Sequence, residues 1–228
     1  MARGYLIRKG DTLRKVAKRF YGDQTLYNDL ALYNGILDPD WIIAGQRLEV
    51  PSKRDLLKPD GSGSSGEMTP PHGLEQILLA FGNIYDFIGE DGRLRVGWEQ
   101  ENLRQAHLPF PIPLSWDLSR AVRTLYCHRA LSDRFSEVFA TIEARGLREE
   151  IRTYGGCFNF RSKRTSGKLS THSWGIAIDL NPRTNRPGSV GDVDLAIVEI
   201  FRSFGFKWGG DWSYRSKDPM HFQFCTGY

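Results

Sequence analysis

Six consecutive residues, Gly61-Ser62-Gly63-Ser64-Ser65-Gly66, divide the chain into two parts that must each find a core of their own. Such a run has almost no apolar surface to bury. It cannot offset the entropy lost on ordering, so it reads as a flexible tether. The flanking residues add Pro59, Pro70 and Pro71, and the whole stretch 53–72 is expected to be linker. A small domain, 1–52, and a larger one, 73–228, remain. Both lengths suit independent folding units.

The small part opens on a short apolar run, Tyr5-Leu6-Ile7, followed by Gly10-Asp11-Thr12, a turn that can cap a helix. Leu13, Val16, Ala17 and Phe20 then recur at helical spacing, and Gly22 closes that helix. A second helix is expected from about Thr25 to Tyr33, broken by Asn34-Gly35. Gly45 to Pro51 reads as a closing strand. The order is β-α-α-β.

In the large part Leu74, Ile77, Leu78, Phe81, Ile84, Tyr85 and Ile88 form one apolar stripe, which predicts an amphipathic helix. The Pro-rich run Leu108–Pro113 reads as a loop. Helices are expected over Leu118–Leu131 and Asp133–Arg145, the second with Gly146 just past its end. From there the period changes to two at Ile151–Tyr154, Ile176–Leu180 and His221–Phe224, with one further helix at about Val193–Phe204. The whole is expected to be α+β: the βααβ domain, then a domain whose helices pack on a small antiparallel sheet.

Two segments carry the chemistry: Ser170-Thr171-His172-Ser173-Trp174-Gly175-Ile176-Ala177-Ile178-Asp179-Leu180 and Asp218-Pro219-Met220-His221-Phe222-Gln223-Phe224. Alternation puts Ala177 and Asp179 on one side of the first strand and the isoleucines on the other. Gly175 turns the backbone and brings His172 back toward Asp179. In the second strand His221 and Gln223 share a face while Phe222 and Phe224 point to the core. His172, Asp179 and His221 thus fall on one exposed face. They form a nitrogen–carboxylate set that suits one Zn²⁺ ion with a position left for water, whose pKa such a metal lowers toward ~7. Asp218 is placed to accept and return the proton of that water. A guanidinium, Arg161 or its rival Arg164, can stabilise an oxyanion or hold a substrate carboxylate. Trp208, Trp212 and Tyr154 are candidate walls of a substrate cleft, or packing around the Gly209-Gly210 turn. Asp211 is a candidate second partner of a ligand histidine, or a turn cap.

Residues 4–51, through "GDTLRKVAKRFYG", "LYNG" and "AGQRLEVP", resemble a LysM module. That family binds N-acetylglucosamine-containing glycans between its first strand–helix turn and the loop before its last strand. The resemblance therefore implies Gly10, Asp11, Thr12 and Leu13 with the segment Ile36–Ile43, including Ile36, Ile42 and Ile43, as the glycan site. The other reading is a module that docks on another protein. Residues 73–228 resemble the zinc peptidases of the D-Ala-D-Ala carboxypeptidase and L-alanyl-D-glutamate endopeptidase group, the M15 family. Their S-x-H-x-x-G-x-A-x-D pattern is met by Ser170, His172, Gly175, Ala177 and Asp179, and their acid-x-x-His motif by Asp218 and His221. The stretch Phe206 to Trp212 is also similar to what precedes that motif. This resemblance implies zinc on His172, Asp179 and His221, Asp218 as general base, and cleavage of a peptidoglycan stem-peptide amide. The expected bond is L-Ala-D-Glu. The alternatives are D-Ala-D-Ala carboxypeptidase action, or a non-catalytic zinc-containing wall-binding or phage protein.

Charge and cysteine content bound the remaining classes. A formal net charge of +4 with no Lys/Arg block gives no footprint for nucleic acid. No apolar run approaches the ~20 residues of a membrane span. The start Met-Ala-Arg-Gly-Tyr has no apolar h-region, so the expectation is cytoplasmic synthesis without a signal peptide and action on the wall after release, as phage lysis enzymes behave. Cys127, Cys157 and Cys225 are too few and too far apart for a disulfide framework, with Cys157–Cys225 the one pairing considered. A monomer is expected.

Overall fold

The computed structural model describes residues 3–34, 36, 39, 42–56, 68–163, 166–214 and 216–228. The expected tether Gly61–Gly66, Arg164, and most of the loop between Ile36 and Ile42 lie outside them. The chain forms two compact units, residues 1–68 and 69–228.

In the first unit β1 (Arg3–Leu6) leads to α1 (Leu13–Tyr21) and α2 (Tyr27–Tyr33), and β2 (Arg47–Val50) returns antiparallel to β1 with Tyr5 opposite Leu48. The Thr12 hydroxyl accepts from the Lys15 N–H and satisfies one of the orphan donors at the start of α1. Asn34 carries out the join that the sequence left as a break. Its side chain donates to the Leu30 and Glu49 carbonyls and accepts from the Glu49 N–H at 2.6 Å, so the end of α2 is stitched to β2. Ile7, Leu13, Val16, Ala17, Leu30, Leu48 and Val50 close a core over these elements. A short turn of helix, α3 (Lys53–Leu56), follows.

The second unit starts with α4 (Gly73–Phe81), α5 (Val96–Asn102), then β3 (Leu103–Leu114) and β4 (Asp117–His128). Next come α6 (Ser132–Ala144), β5 (Tyr154–Gly156), β6 (Ala177–Leu180), α7 (Leu195–Ser203), β7 (Lys207–Trp208) and β8 (His221–Gln223). The sheet order is β4-β3-β5-β6-β8-β7. It is larger than expected and mixed, because β3 meets β5 in parallel at Leu114–Tyr154 while the other pairings are antiparallel.

Three expectations change here. Residues 118–128 form a strand and not a helix, and the Pro-rich loop is its partner. Ala106, Leu108, Phe110, Ile112 and Leu114 alternate inward while Pro109 and Pro111 point outward, a period-two pattern that the prolines disguised. The pairing with β4 jumps from His107–Thr124 to Ile112–Val122, so a bulge holds both of those N–H-less residues out of the ladder. The first amphipathic helix stops at Phe81, where Gly82 adopts φ 89°, and a separate 3₁₀ turn at Ile84–Phe87 buries Ile84. No bond joins Cys157 to Cys225; all three cysteines are buried thiols.

α6 and α7 cover one face of the sheet. Phe201 stacks on Phe222 with ring centroids 4.2 Å apart and meets Phe139 and Phe206 edge-on. His128 is buried beside this core. Its Nε2–H donates to the Phe81 carbonyl and its Nδ1 accepts from the Ala130 N–H. Burial holds its pKa down from 6.5 to about 3. The unfolded chain therefore takes up a proton below pH 6.5 that the folded chain refuses, and stability falls as pH drops from about 6.5 toward 3. At pH 5 the loss from His128 is about 2 kcal/mol. Thermal unfolding at pH 7.5 and 5 should show it, and His128→Gln should flatten the dependence.

Candidate functional site

The site is built where β6 and β8 pair. Asp179 lies directly opposite His221 in the register, and Ala177 opposite Gln223. His172 comes from a 3₁₀ turn, Thr171–Trp174, just before β6; the Ser170 hydroxyl accepts from the His172 N–H at its start. Gly175 ends that turn at φ 67°, a left-handed conformation, and a Cβ there would lie 2.8 Å from the His128 nitrogen. Only glycine satisfies both conditions without strain.

Three lone-pair-bearing atoms converge. His172 Nε2 lies 3.2 Å from Asp179 Oδ1 and 3.2 Å from His221 Nδ1, and His221 Nδ1 lies 2.9 Å from Asp179 Oδ1. The expected exposed face is in fact closed over. His172 is 3% and His221 6% exposed, and the Asp179 side chain keeps only a small opening to solvent. The opposite nitrogen of each ring is committed to an acceptor. His172 Nδ1 donates to the Cys157 carbonyl at 2.7 Å, and His221 Nε2 donates to Gln223 Oε1 at 3.0 Å. Gln223 is itself oriented: its Nε2 donates to the Cys225 carbonyl, and Thr171 Oγ1 donates to its Oε1. Each imidazole thus has an acceptor for a proton on its outer nitrogen, which lets the inner nitrogen bind a metal in place of the proton that the Asp179 carboxylate otherwise attracts. Burial pushes the Asp179 carboxyl up, but the two histidines outweigh it and hold the group well below the usual carboxylate range. Burial also works against charge on His221, and the Asp179 carboxylate more than compensates, so that its pKa is raised. Two neutral imidazole nitrogens and an ionised carboxylate oxygen make a donor set that fits a divalent metal such as zinc.

Asp218 sits beside this cluster. Its N–H donates to the Gly209 carbonyl at 2.9 Å and its own carbonyl accepts from the His221 N–H at 3.1 Å. A Cβ on Gly209 would strike the Asp218 carbonyl, which explains a glycine at this point of the Trp208–Trp212 stretch. Asp218 Oδ1 is buried with no hydrogen-bond partner among the described residues. Burial raises its pKa, against the opposing pull of His221.

A cleft of about 280 Å³ opens on His172 and Asp179, walled by Trp116, Gly155, Gly156, Phe158, Asn159 and Arg161. Arg161 is therefore brought to the cluster, on an irregular segment. The tryptophans divide. Trp212 packs against His221 with ring centroids 5.5 Å apart, whereas Trp208 donates to the Pro219 carbonyl and covers Gly210. Tyr154 is buried and lies behind Trp116, 6.3 Å between ring centroids, so it supports the wall and does not line it. Asp211 pairs with Arg202 on the surface and serves neither role expected of it. In the first unit Leu13 is fully buried in the core, so its side chain offers nothing to a ligand. Asp11 accepts from the Tyr5 hydroxyl at 2.6 Å and the Arg8 N–H at 2.8 Å and shapes the turn. Thr12 is spent on the helix cap. Ile36 and Ile42 pack partly into the core, Ile43 is exposed, and Gly10 turns at φ 87°.

Sequence reasoning missed Trp116, which the misread hairpin hid, and the Cys157 carbonyl, which no residue type signals. It had placed Gln223 on the His221 face without giving it a role. Gly175→Ala should lower stability by about 2–4 kcal/mol, through a left-handed φ and a clash with β4. Chemical unfolding checks this, and an unchanged midpoint would show that the turn relaxes freely.

Residues 163–224 match the family model described as D-alanyl-D-alanine carboxypeptidase, an M15 peptidase model, and residues 5–51 match that of the LysM domain. An uncharacterized protein of Deinococcus radiodurans is 47% identical over 47 residues, 21% of this chain and 19% of its own length. An esterase of Mycobacterium tuberculosis is 52% identical over 42 residues, 18% of this chain and 9% of its own. The peptidoglycan L-alanyl-D-glutamate endopeptidase CwlK of Bacillus subtilis is 26% identical over 145 residues, 57% of this chain and 84% of its own. The chain thus spans less than a fifth of the first two relatives. No solved structure matches the chain significantly. The chain carries a LysM domain at residues 5–51 and, within its second unit, a segment of the M15 peptidase family at residues 163–224.

Proposed function

We propose that this chain is a zinc-dependent peptidase that cuts an amide bond of the peptidoglycan stem peptide, the L-Ala–D-Glu bond in the first instance. One observation carries the reading: the inner nitrogens of His172 and His221 and the Asp179 carboxylate oxygen converge within 3.2 Å, each ring's other nitrogen being tied to a fixed acceptor. Rings tied at their outer nitrogens, with the inner ones beside an ionised carboxylate, are the arrangement that a divalent metal requires. Zinc held by these three residues supplies a Lewis acid that polarises a carbonyl and acidifies water toward pH ~7.

The chain's own groups supply the rest. Asp218, with a raised pKa and a free Oδ1, takes a proton from the attacking water and returns it to the leaving amine. The Arg161 guanidinium, at the opposite wall, holds the substrate carbonyl or an adjoining carboxylate as charge develops. Trp212 shields His221, and Trp116 offers a flat wall to the peptide backbone. The endopeptidase reading is preferred because CwlK, named for the L-alanyl-D-glutamate bond, aligns over more of this chain than the matched carboxypeptidase model.

The LysM unit is proposed to hold glycan through the exposed turn at Gly10–Thr12 and the face at Ile43. Its binding need not be strong. A tethered weak grip raises the local concentration of stem peptides around the second unit. The protein is proposed to act as a monomer at the cell wall.

His172→Ala and His221→Ala should each abolish zinc binding and wall lysis together. Asp218→Asn should keep stoichiometric zinc by metal analysis and lose at least 100-fold in turnover. Full turnover in that variant would remove Asp218 as the proton carrier. Gln223→Leu should weaken zinc affinity by about 10–100-fold, because the His221 ring loses the acceptor that fixes its tautomer. Mass spectrometry of purified peptidoglycan digested with and without chelator identifies the bond: new N-terminal D-Glu fits the endopeptidase, and release of free D-Ala fits the carboxypeptidase.

A further inference from the structure

A second, larger cavity of about 570 Å³ adjoins the catalytic cleft, and Arg161 lines both. Two small hairpins face each other across it. One is closed by the Ile88–Leu94 bridge and the Arg93 carbonyl accepting from the Gly89 N–H. The other is closed by the Ser162–Leu169 bridge and the Lys163 N–H donating to the Lys168 carbonyl at 2.7 Å. Tyr85, Ile88, Leu94, Phe160 and Leu169 supply the apolar lining of the cavity. Among the described residues three cations line the space, Arg93, Arg161 and Lys168, and no carboxylate does. Asp91, on the first of these loops beside Glu90, reaches Arg93 Nε at 3.9 Å across exposed surface, a pair of little strength. The Arg161 guanidinium makes no hydrogen bond or ion pair among the described residues, though it lies in the field of Asp218. Among the described residues the Lys168 ammonium meets the Tyr228 ring, at 5.9 Å, and the like charge of Lys163.

We infer that this cavity is a substrate subsite for an acidic peptide arm: it takes a side chain or branch bearing a free carboxylate, held by Arg93 and Lys168, while Arg161 marks its boundary with the cleft. The apolar residues accommodate the aliphatic stem of that arm and the cations its charged end. A neutral or amidated arm fits the same volume but gains none of the Coulomb attraction of three convergent positive charges, all solvent-exposed, so the site discriminates by charge. This inference rests on the peptidase reading for its substrate, but not for the charge preference of the cavity.

The test uses the full chain with zinc and two synthetic stem peptides, identical except that one carries free side-chain carboxylates and the other carboxamides. The wild type should show a KM about tenfold lower for the acid peptide. In Arg93→Gln/Lys168→Gln the KM for the acid peptide should rise to that of the amide, with kcat within twofold. Equal KM values for both peptides in the wild type, or a double variant that loses kcat and not affinity, would overturn the subsite. Calorimetric binding of the same peptides to the zinc-free chain separates the two readings. Carboxylate-dependent binding with no cleavage by the zinc form would keep the subsite and sink the peptidase, whereas cleavage without charge preference would do the reverse.

Discussion

Everything in the second unit answers to one register, the antiparallel pairing that sets Asp179 directly across from His221. Directly opposed residues on one face are among the closest side-chain neighbours a sheet offers, and a slip of one residue would turn either side chain into the opposite layer. The far face of the same two strands is packed with Ile178, Leu180, Phe222 and Phe224, all nearly or fully buried, against α6 and α7. That apolar layer makes any other register costly. The core therefore fixes the position of the carboxylate and imidazole more firmly than their own hydrogen bonds do.

The outer hydrogen bonds add orientation to position. The Cys157 carbonyl and the Gln223 amide decide which nitrogen of each ring is free. The carbonyl is available because the chain after β5 passes close to His172, a path that Gly155 permits next to Asp179, where a Cβ would lie 2.9 Å from the Asp179 Cβ, and that Gly156 turns at φ 126°. A donor set prepared in this way meets a ligand without rearranging, which is the physical content of preorganisation at a metal centre.

The strands bearing Asp179 and His221, and the turn before β6 that bears His172, were legible because period-two alternation and a turn glycine are local signals. The same holds for Leu13 and Val16 on α1, although the turn beside them proved to be internally bonded at Asp11 and Thr12. Legibility failed where the deciding partner is distant. Leu118–His128 is polar and apolar in a mixture that suits either element, and only its pairing with β3 makes it a strand. Missing that hairpin also hid Trp116, whose place in the cleft comes from the turn between β3 and β4. The Arg161 segment carries no regular structure, so nothing in its sequence could have fixed where its guanidinium points.

The prolines of β3 have an effect beyond the site. β3 is twelve residues long, yet its β5 side is paired only at Leu114, so most of that edge faces no strand. A free edge of this length invites another chain to add to it. Pro109 and Pro111 carry no N–H, and the bulge between His107 and Ile112 bends the backbone out of line. The stretch is thereby a poor template for a foreign strand, while its alternating inner face stays free to build the core.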